Sequence, residues 1–206
     1  MQSFGQIIIL NGVPRSGKSS IATVIQETFS GVWMNMGVDR FMAMTPKNCL
    51  PGIGLRPGGE RPDLEEKIGR FYRAMYDSIA AHSRLGFNVV VDVGHHDAYS
   101  QPQQIWPACA KRLLGLPVLV VGVRCPLDVI LARREQTGWH SGPPSNSLLR
   151  TVRLWQEEVH RLGIYDLEVD TSRHSPAACA ASIDAFLQAG SPLLACQRLA
   201  AMASDA

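Results

Sequence analysis

The 206-residue sequence contains no C-x-x-C pair, and its five cysteines, at 49, 109, 125, 179 and 196, are odd in number. That pattern excludes a zinc ribbon and a paired disulfide framework. It reads as reduced thiols in a cytosol, each behaving as a small buried hydrophobe. Runs of like charge are also missing, and 20 basic against 18 acidic residues leave a net charge of only +2. A dedicated nucleic-acid binder would show a basic stripe, so nucleic acid is not an expected partner, whereas small anionic ligands stay open. No apolar stretch approaches the ~20 residues of a membrane span. The first apolar run lacks a basic segment ahead of it and is too short for a signal peptide core. The expectation is a cytoplasmic chain without membrane contact. There is no internal repeat and no low-complexity linker, and the length suits one domain.

What is present is alternation. Short apolar runs at 6–10, 32–37, 87–93, 117–123 and 165–171 read as strands, and the segments 18–29, 63–86, 101–115, 126–136, 147–162 and 175–188 read as helices. In the longest of these, apolar residues recur at 64, 68, 71, 75 and 79; Asp63 with Glu66 suggests a capping box, and Gly86 suggests a helix stop. Strands apolar throughout, alternating with helices, predict an α/β fold of three layers: a five-stranded, mainly parallel sheet with helices on both faces. One domain spans 1–190, and 191–206 read as an alanine-rich tail holding one loose helix. The segment 45–62 is dense in glycine and proline, and a loop of that length inside a compact domain tends to be functional.

The most specific signal is "GVPRSGKS" at 12–19, a complete G-x-x-x-x-G-K-[ST] with a strand before it and a helix after it. Glycines at 12 and 17 let successive backbone N–H groups turn inward on phosphate oxygens. Val13, Pro14, Arg15 and Ser16 lie between those glycines, and Lys18, Ser19 and Ser20 open the helix, whose N-terminus adds positive potential. In that arrangement Lys18 reaches the β- and γ-phosphates of ATP, and the Ser19 hydroxyl ligates Mg²⁺. This is the P-loop (Walker A) pattern of the P-loop NTPase fold. An Asn-Lys-x-Asp element is absent, which sets aside the switch-type GTPases.

Ligands of open α/β sheets bind beyond the carboxyl ends of the strands, so acids there are candidates. Asp92 ends "VVVDV", where it either holds Mg²⁺, directly or through water, or caps a loop. Asp39, in "GVDRF", either orients an acceptor hydroxyl and takes its proton or caps a helix starting at Phe41. Asp170 lies either near a nucleobase or at a helix cap. His95 and His96, in "GHHDAYS", either contact substrate or are surface histidines; adjacent histidines rarely chelate one metal ion. Arg40, Arg56 and Arg61 are further candidates for substrate contact, the latter two suiting an anionic or polyhydroxy acceptor.

Together, "IIILNGVPRSGKSS", "GVDRF", "VVVDV", "VGVRCPLDV" and "GIYDLEVDT" resemble the chloramphenicol phosphotransferase family of P-loop kinases, over about residues 6–188. The resemblance implies a small-molecule kinase using ATP and Mg²⁺, an acceptor such as chloramphenicol or a related antibiotic, and Asp39 as the catalytic base. The family lid has the form Arg-x-x-x-Arg-Gly-Asp-Arg, and here the corresponding stretch is "RREQTGWHSG", within a lid at about 136–147. Arg133 matches the first arginine, which would stabilise charge on the transferring group. Thr137 and His140 replace the other two arginines and Trp139 replaces the acid, leaving Arg134, Arg150 or Arg153 to stand in. The stretch "PGIGLRPGGERP" at 51–62 has no close match in the antibiotic-modifying member. The leading expectation is an ATP-dependent O-phosphotransferase acting on a small hydroxylated molecule. The alternatives are a nucleoside, nucleotide or sugar-type metabolite kinase on the same scaffold, and an ATP-binding module that has lost transfer.

Overall fold

A computed structural model describes residues 3–58, 61–136 and 146–203 of the chain. Five strands form one sheet in the order β2-β3-β1-β4-β5, and every pair runs parallel. The strands are β1 (Ile7–Asn11), β2 (Trp33–Asn35), β3 (Asn88–Val93), β4 (Val118–Arg124) and β5 (Leu167–Asp170). The central strand shows why the sheet is covered twice. Ile7 and Ile9 point into one apolar layer, Ile8 and Leu10 into the other, and all four are shut off from solvent. Alternating side chains on a strand face opposite sides, so a run that is apolar at every position needs a helix layer on each.

One layer consists of α1 (Lys18–Thr28) and α7 (Pro176–Gln188), packed on Ile8, Leu10 and Val121. The other consists of α3 (Pro62–Arg84), α4 (Ile105–Lys111) and α8 (Ala195–Ala201). Residues α2 (Val38–Ala43), α5 (Leu127–Gln136) and α6 (Asn146–Val159) lie at the carboxyl end of the sheet, where Trp155 and Val152 of α6 meet Ile130 of α5. From β1 the chain moves to one side for β2 and β3 and then crosses to the other side for β4. That reversal opens a crevice beyond the carboxyl ends of β1 and β3.

Several local expectations change. The long helix begins with Pro62 at its first position, and no side chain caps it. Asp63 pairs instead with Arg61, and Glu66 with Arg70, so there is no capping box. Its end is as expected, with Gly86 at φ 86 just past the last turn, where a left-handed residue closes a helix. The helix expected over 101–115 is shorter, running Ile105–Lys111, and Gln104 enters it at φ 49. The terminal helix is docked rather than loose. Asp166 accepts bonds from the amides of Leu194 and Ala195 at its start, and Leu199 and Ala200 are buried against α4 and β4. Among the described residues no helix is long and apolar enough to cross a membrane.

Candidate active site

The crevice is a cleft of about 740 Å³, lined by the phosphate loop, the start of α2, the 51–56 loop and residues of α3, α5 and α6. The loop carries two left-handed residues, Arg15 at φ 71 and Gly17 at φ 90. Glycine adopts that backbone freely, but for arginine it costs about 1–2 kcal/mol, a strain that surrounding contacts must hold. Gly17 starts α1 without a side-chain cap, so among the described residues no side chain caps the amides of the first turn. Uncapped amides at a helix N-terminus suit an anion.

Lys18 is buried and its Nζ donates to the Val13 carbonyl of its own loop at 2.7 Å. Burial lowers its pKa to about 8, and the carboxylates of Asp92 and then Asp39 oppose that shift. All three residues line the cleft. Asp92, next to last in β3, lies beside Leu10 of β1, and its Oδ2 accepts the Ser19 hydroxyl at 2.6 Å. A hydroxyl and a carboxylate side by side form an all-oxygen donor set suited to Mg²⁺. No cluster of three or more metal-ligating side chains occurs among the described residues. Mg²⁺ in kinase sites needs none, since one or two protein oxygens and the phosphates suffice.

Asp39 lies in the first turn of α2, which begins at Val38 after Gly37. It therefore does not cap a helix at Phe41, and its exposed carboxylate faces the cleft without a hydrogen bond among the described residues. Gly37 has its own constraint: a Cβ there would overlap the Asp92 carboxylate outright.

The arginines divide. Arg133 lines the cleft but commits its Nη atoms to protein acceptors: the carbonyls of Thr171 at 2.7 Å and Arg15 at 3.3 Å, and Thr171 Oγ1 at 3.1 Å. In this arrangement it braces the phosphate loop. Arg56 lines the cleft from the 51–56 loop. Arg40 and Arg61 do not line it; Arg40 donates to Asn35 at 3.3 Å and Arg61 is tied to Asp63 at 2.8 Å. Arg134 lines the cleft too, and burial, with Arg56 and Arg15 nearby, holds its pKa below the usual value. Thr137, Trp139 and His140 of the expected lid lie outside the described residues.

Neither histidine is on the surface or in the cleft. His95 is enclosed, stacked on Trp106 and bonded to Tyr76 Oη at 2.7 Å; burial lowers its pKa to about 3, so it stays neutral. His96 packs on Tyr99 and Trp155, and its Nε2 donates to the Leu55 carbonyl at 2.9 Å. Asp170 bonds Ser172 in the turn after β5, while Ser175 caps α7.

Four contributors had no local signal. Thr171 Oγ1 donates to the Ser16 carbonyl at 2.6 Å, fixing the loop from β5. Asn11 accepts from the His95 amide at 2.9 Å and donates to Tyr165 Oη and the Val159 carbonyl, each at 3.0 Å. Tyr72 and Trp155 give the cleft an aromatic wall.

Fold and cleft together define a phosphotransferase of the small-molecule kinase type, acting on a hydroxyl group. Among solved structures, the fold resembles a sugar kinase from Janibacter sp. HTCC2649, with TM-score 0.59 and 17% identity over 89% of this chain and 95% of that one. It also resembles the Deinococcus radiodurans tunicamycin resistance protein, with TM-score 0.59 and 21% identity over 92% of this chain and 98% of that one. The chain belongs to the chloramphenicol phosphotransferase-like family, whose profile matches residues 5–188. A Mycobacterium tuberculosis H37Rv protein assigned as an O-phosphotransferase is 28% identical over 189 residues, 82% of this chain and 76% of the relative.

Proposed function

We propose that this chain transfers the γ-phosphate of ATP to a hydroxyl of a small molecule, with Asp39 as the general base. The carrying observation is that Asp39 and Lys18 face one cleft across the Ser19–Asp92 pair. The loop amides and Lys18 hold the β- and γ-phosphates, for which Lys18 exchanges the Val13 carbonyl. Ser19 and Asp92 would hold Mg²⁺, which offsets phosphate charge when bound. The acceptor oxygen bonds to the γ-phosphorus as the bond to the ADP oxygen breaks, and the hydroxyl proton passes to the Asp39 carboxylate. The products are a phosphate monoester and ADP. In a loose transition state that proton leaves late, so Asp39 contributes chiefly by holding the alcohol in line.

The acceptor half of the cleft is walled by Val38, Met42, Ile53, Tyr72 and Trp155. Such a wall suits an acceptor with an apolar or ring-containing body, and family membership makes chloramphenicol and related antibiotics the first compounds to test. The test incubates the protein with labelled ATP and Mg²⁺ against antibiotics, nucleosides and sugars. Label in one acceptor class, lost in Asp39→Asn, is the expected result. ATP binding without transfer to any acceptor would favour a non-transferring nucleotide-binding module.

A further inference from the structure

Arg56 stands on a fixed base. The residues before it are pinned by two side chains: Tyr72 Oη donates to the Ile53 carbonyl at 3.1 Å, and His96 Nε2 donates to the Leu55 carbonyl at 2.9 Å. Ile53 and Leu55 are themselves sunk in the core. After it, the Gly58 amide donates to the Ala98 carbonyl at 2.8 Å. The segment 53–58 is thus a built wall, although its composition reads as loop. The exposed Arg56 side chain leaves that wall into the cleft, and among the described residues it has no carboxylate partner.

Charge counting extends the point. Lys18, Arg15, Arg56, Arg133 and Arg134 line the cleft, against the carboxylates of Asp39 and Asp92. Lys18 and Arg15 belong to the phosphate loop, and Arg133 braces it. Arg56 belongs to neither: it reaches the cleft from the 53–58 wall, near enough to Arg134 to help hold that residue's pKa below its usual value. Mg²⁺ cancels part of the triphosphate charge, and Arg56, outside the phosphate loop and its brace, faces no carboxylate among the described residues. Arginine is the residue that matches carboxylate and phosphate oxygens two at a time.

We propose that the acceptor carries an anionic group, carboxylate or phosphate, gripped by Arg56 while its apolar body lies on Tyr72 and Trp155. This rests on the kinase reading above and refines it: neutral antibiotics, chloramphenicol included, are not the preferred acceptors.

The test compares matched acceptors differing only in the anion. One pair is para-hydroxymethylbenzoate and para-hydroxymethylbenzamide; the other is a nucleoside 5′-monophosphate and its 5′-deoxynucleoside, which exposes no new hydroxyl; chloramphenicol is the neutral reference. In at least one pair the anionic member is expected to have a kcat/KM higher by about tenfold to a hundredfold, the worth of a charge-assisted contact. Which pair responds separates a carboxylate from a phosphate. In Arg56→Met that preference collapses toward unity through KM, and Arg56→Lys restores part of it; melting curves confirm folding. Equal use of both members, or a preference that survives Arg56→Met, overturns the proposal. So does a fall in kcat with every acceptor together with a rise in the KM for ATP, which would put Arg56 on the donor phosphates. If no compound is phosphorylated, the kinase reading fails separately. Binding of the same pairs, followed by tryptophan fluorescence with a non-hydrolysable ATP analogue present, then decides. Arg56-dependent preference for the anion upholds the grip, and its absence overturns it.

Discussion

The Asp92 carboxylate occupies the space that a side chain on residue 37 would need. Gly37 starts α2, and two residues later that helix presents Asp39 to the cleft. The residue proposed to hold Mg²⁺ and the residue proposed to take the proton are therefore spaced by backbone contact. Gly37→Ala must push Asp92 from Ser19 or shift α2. Because a displaced carboxylate loses its hydroxyl partner, the affinity for Mg²⁺ with nucleotide should fall by about tenfold to a hundredfold. A Mg²⁺ titration of nucleotide binding measures this, and an unaltered curve would refute the spacing argument.

Asp39→Asn keeps the shape and removes the proton acceptor. Turnover should drop by about 10²- to 10⁴-fold, the range for a positioned general base. Calorimetric nucleotide affinity should stay, since Asp39 is on the acceptor side. Loss of both together would mean that α2 had moved.

Lys18 gives the cleft a pH dependence. With its pKa lowered to about 8 by burial, the amine is charged below that pH and loses its proton above it. Phosphate favours the charged amine, so nucleotide binding above pH 8 must draw in a proton, and affinity should weaken as pH rises. Calorimetry at pH 8.5, in buffers of different ionisation heat, should reveal proton uptake that is absent at pH 7. Equal uptake at both values would contradict the assignment to Lys18.

Thr171→Val removes the hydroxyl that donates to Ser16 and accepts from Arg133, at 2.6 and 3.1 Å. A buried carbonyl left without its donor costs about 1–3 kcal/mol, so the variant should melt earlier and bind nucleotide more weakly. Thr171→Ser should recover most of both. A serine variant as poor as the valine variant would point to the lost methyl rather than the hydrogen bond.

The donor half of this site is legible in the sequence because eight adjacent residues build it: a turn, its amides and one lysine form a local object. The sheet is legible for a related reason, since β1 is apolar from Ile7 to Leu10 and both of its faces need cover. The acceptor half is not local. Tyr72 and Trp155 reach the cleft from helices far apart in the chain, and nothing in either neighbourhood marks them. "GHHDAYS" misleads most. It reads as a polar surface loop, yet Trp106, Tyr76 and Trp155 fold over it and leave both histidines inside. Arg133 is legible as a cleft residue, whereas its bonds to the Arg15 and Thr171 carbonyls are not, because sequence does not distinguish one carbonyl from another.

The Asn11 amide can sit only one way round. Its oxygen faces the His95 amide and its nitrogen faces the Val159 carbonyl and Tyr165 Oη. Reversed, it would set donor against donor and acceptor against acceptor. The strand leading to the phosphate loop, the histidine loop behind Arg56 and the last turn of the helix bearing Trp155 thus meet at one polarised pin. The segments proposed to hold donor and acceptor share one pin, besides the separate holds of Thr171 on the phosphate loop and of Tyr72 on the 53–58 wall.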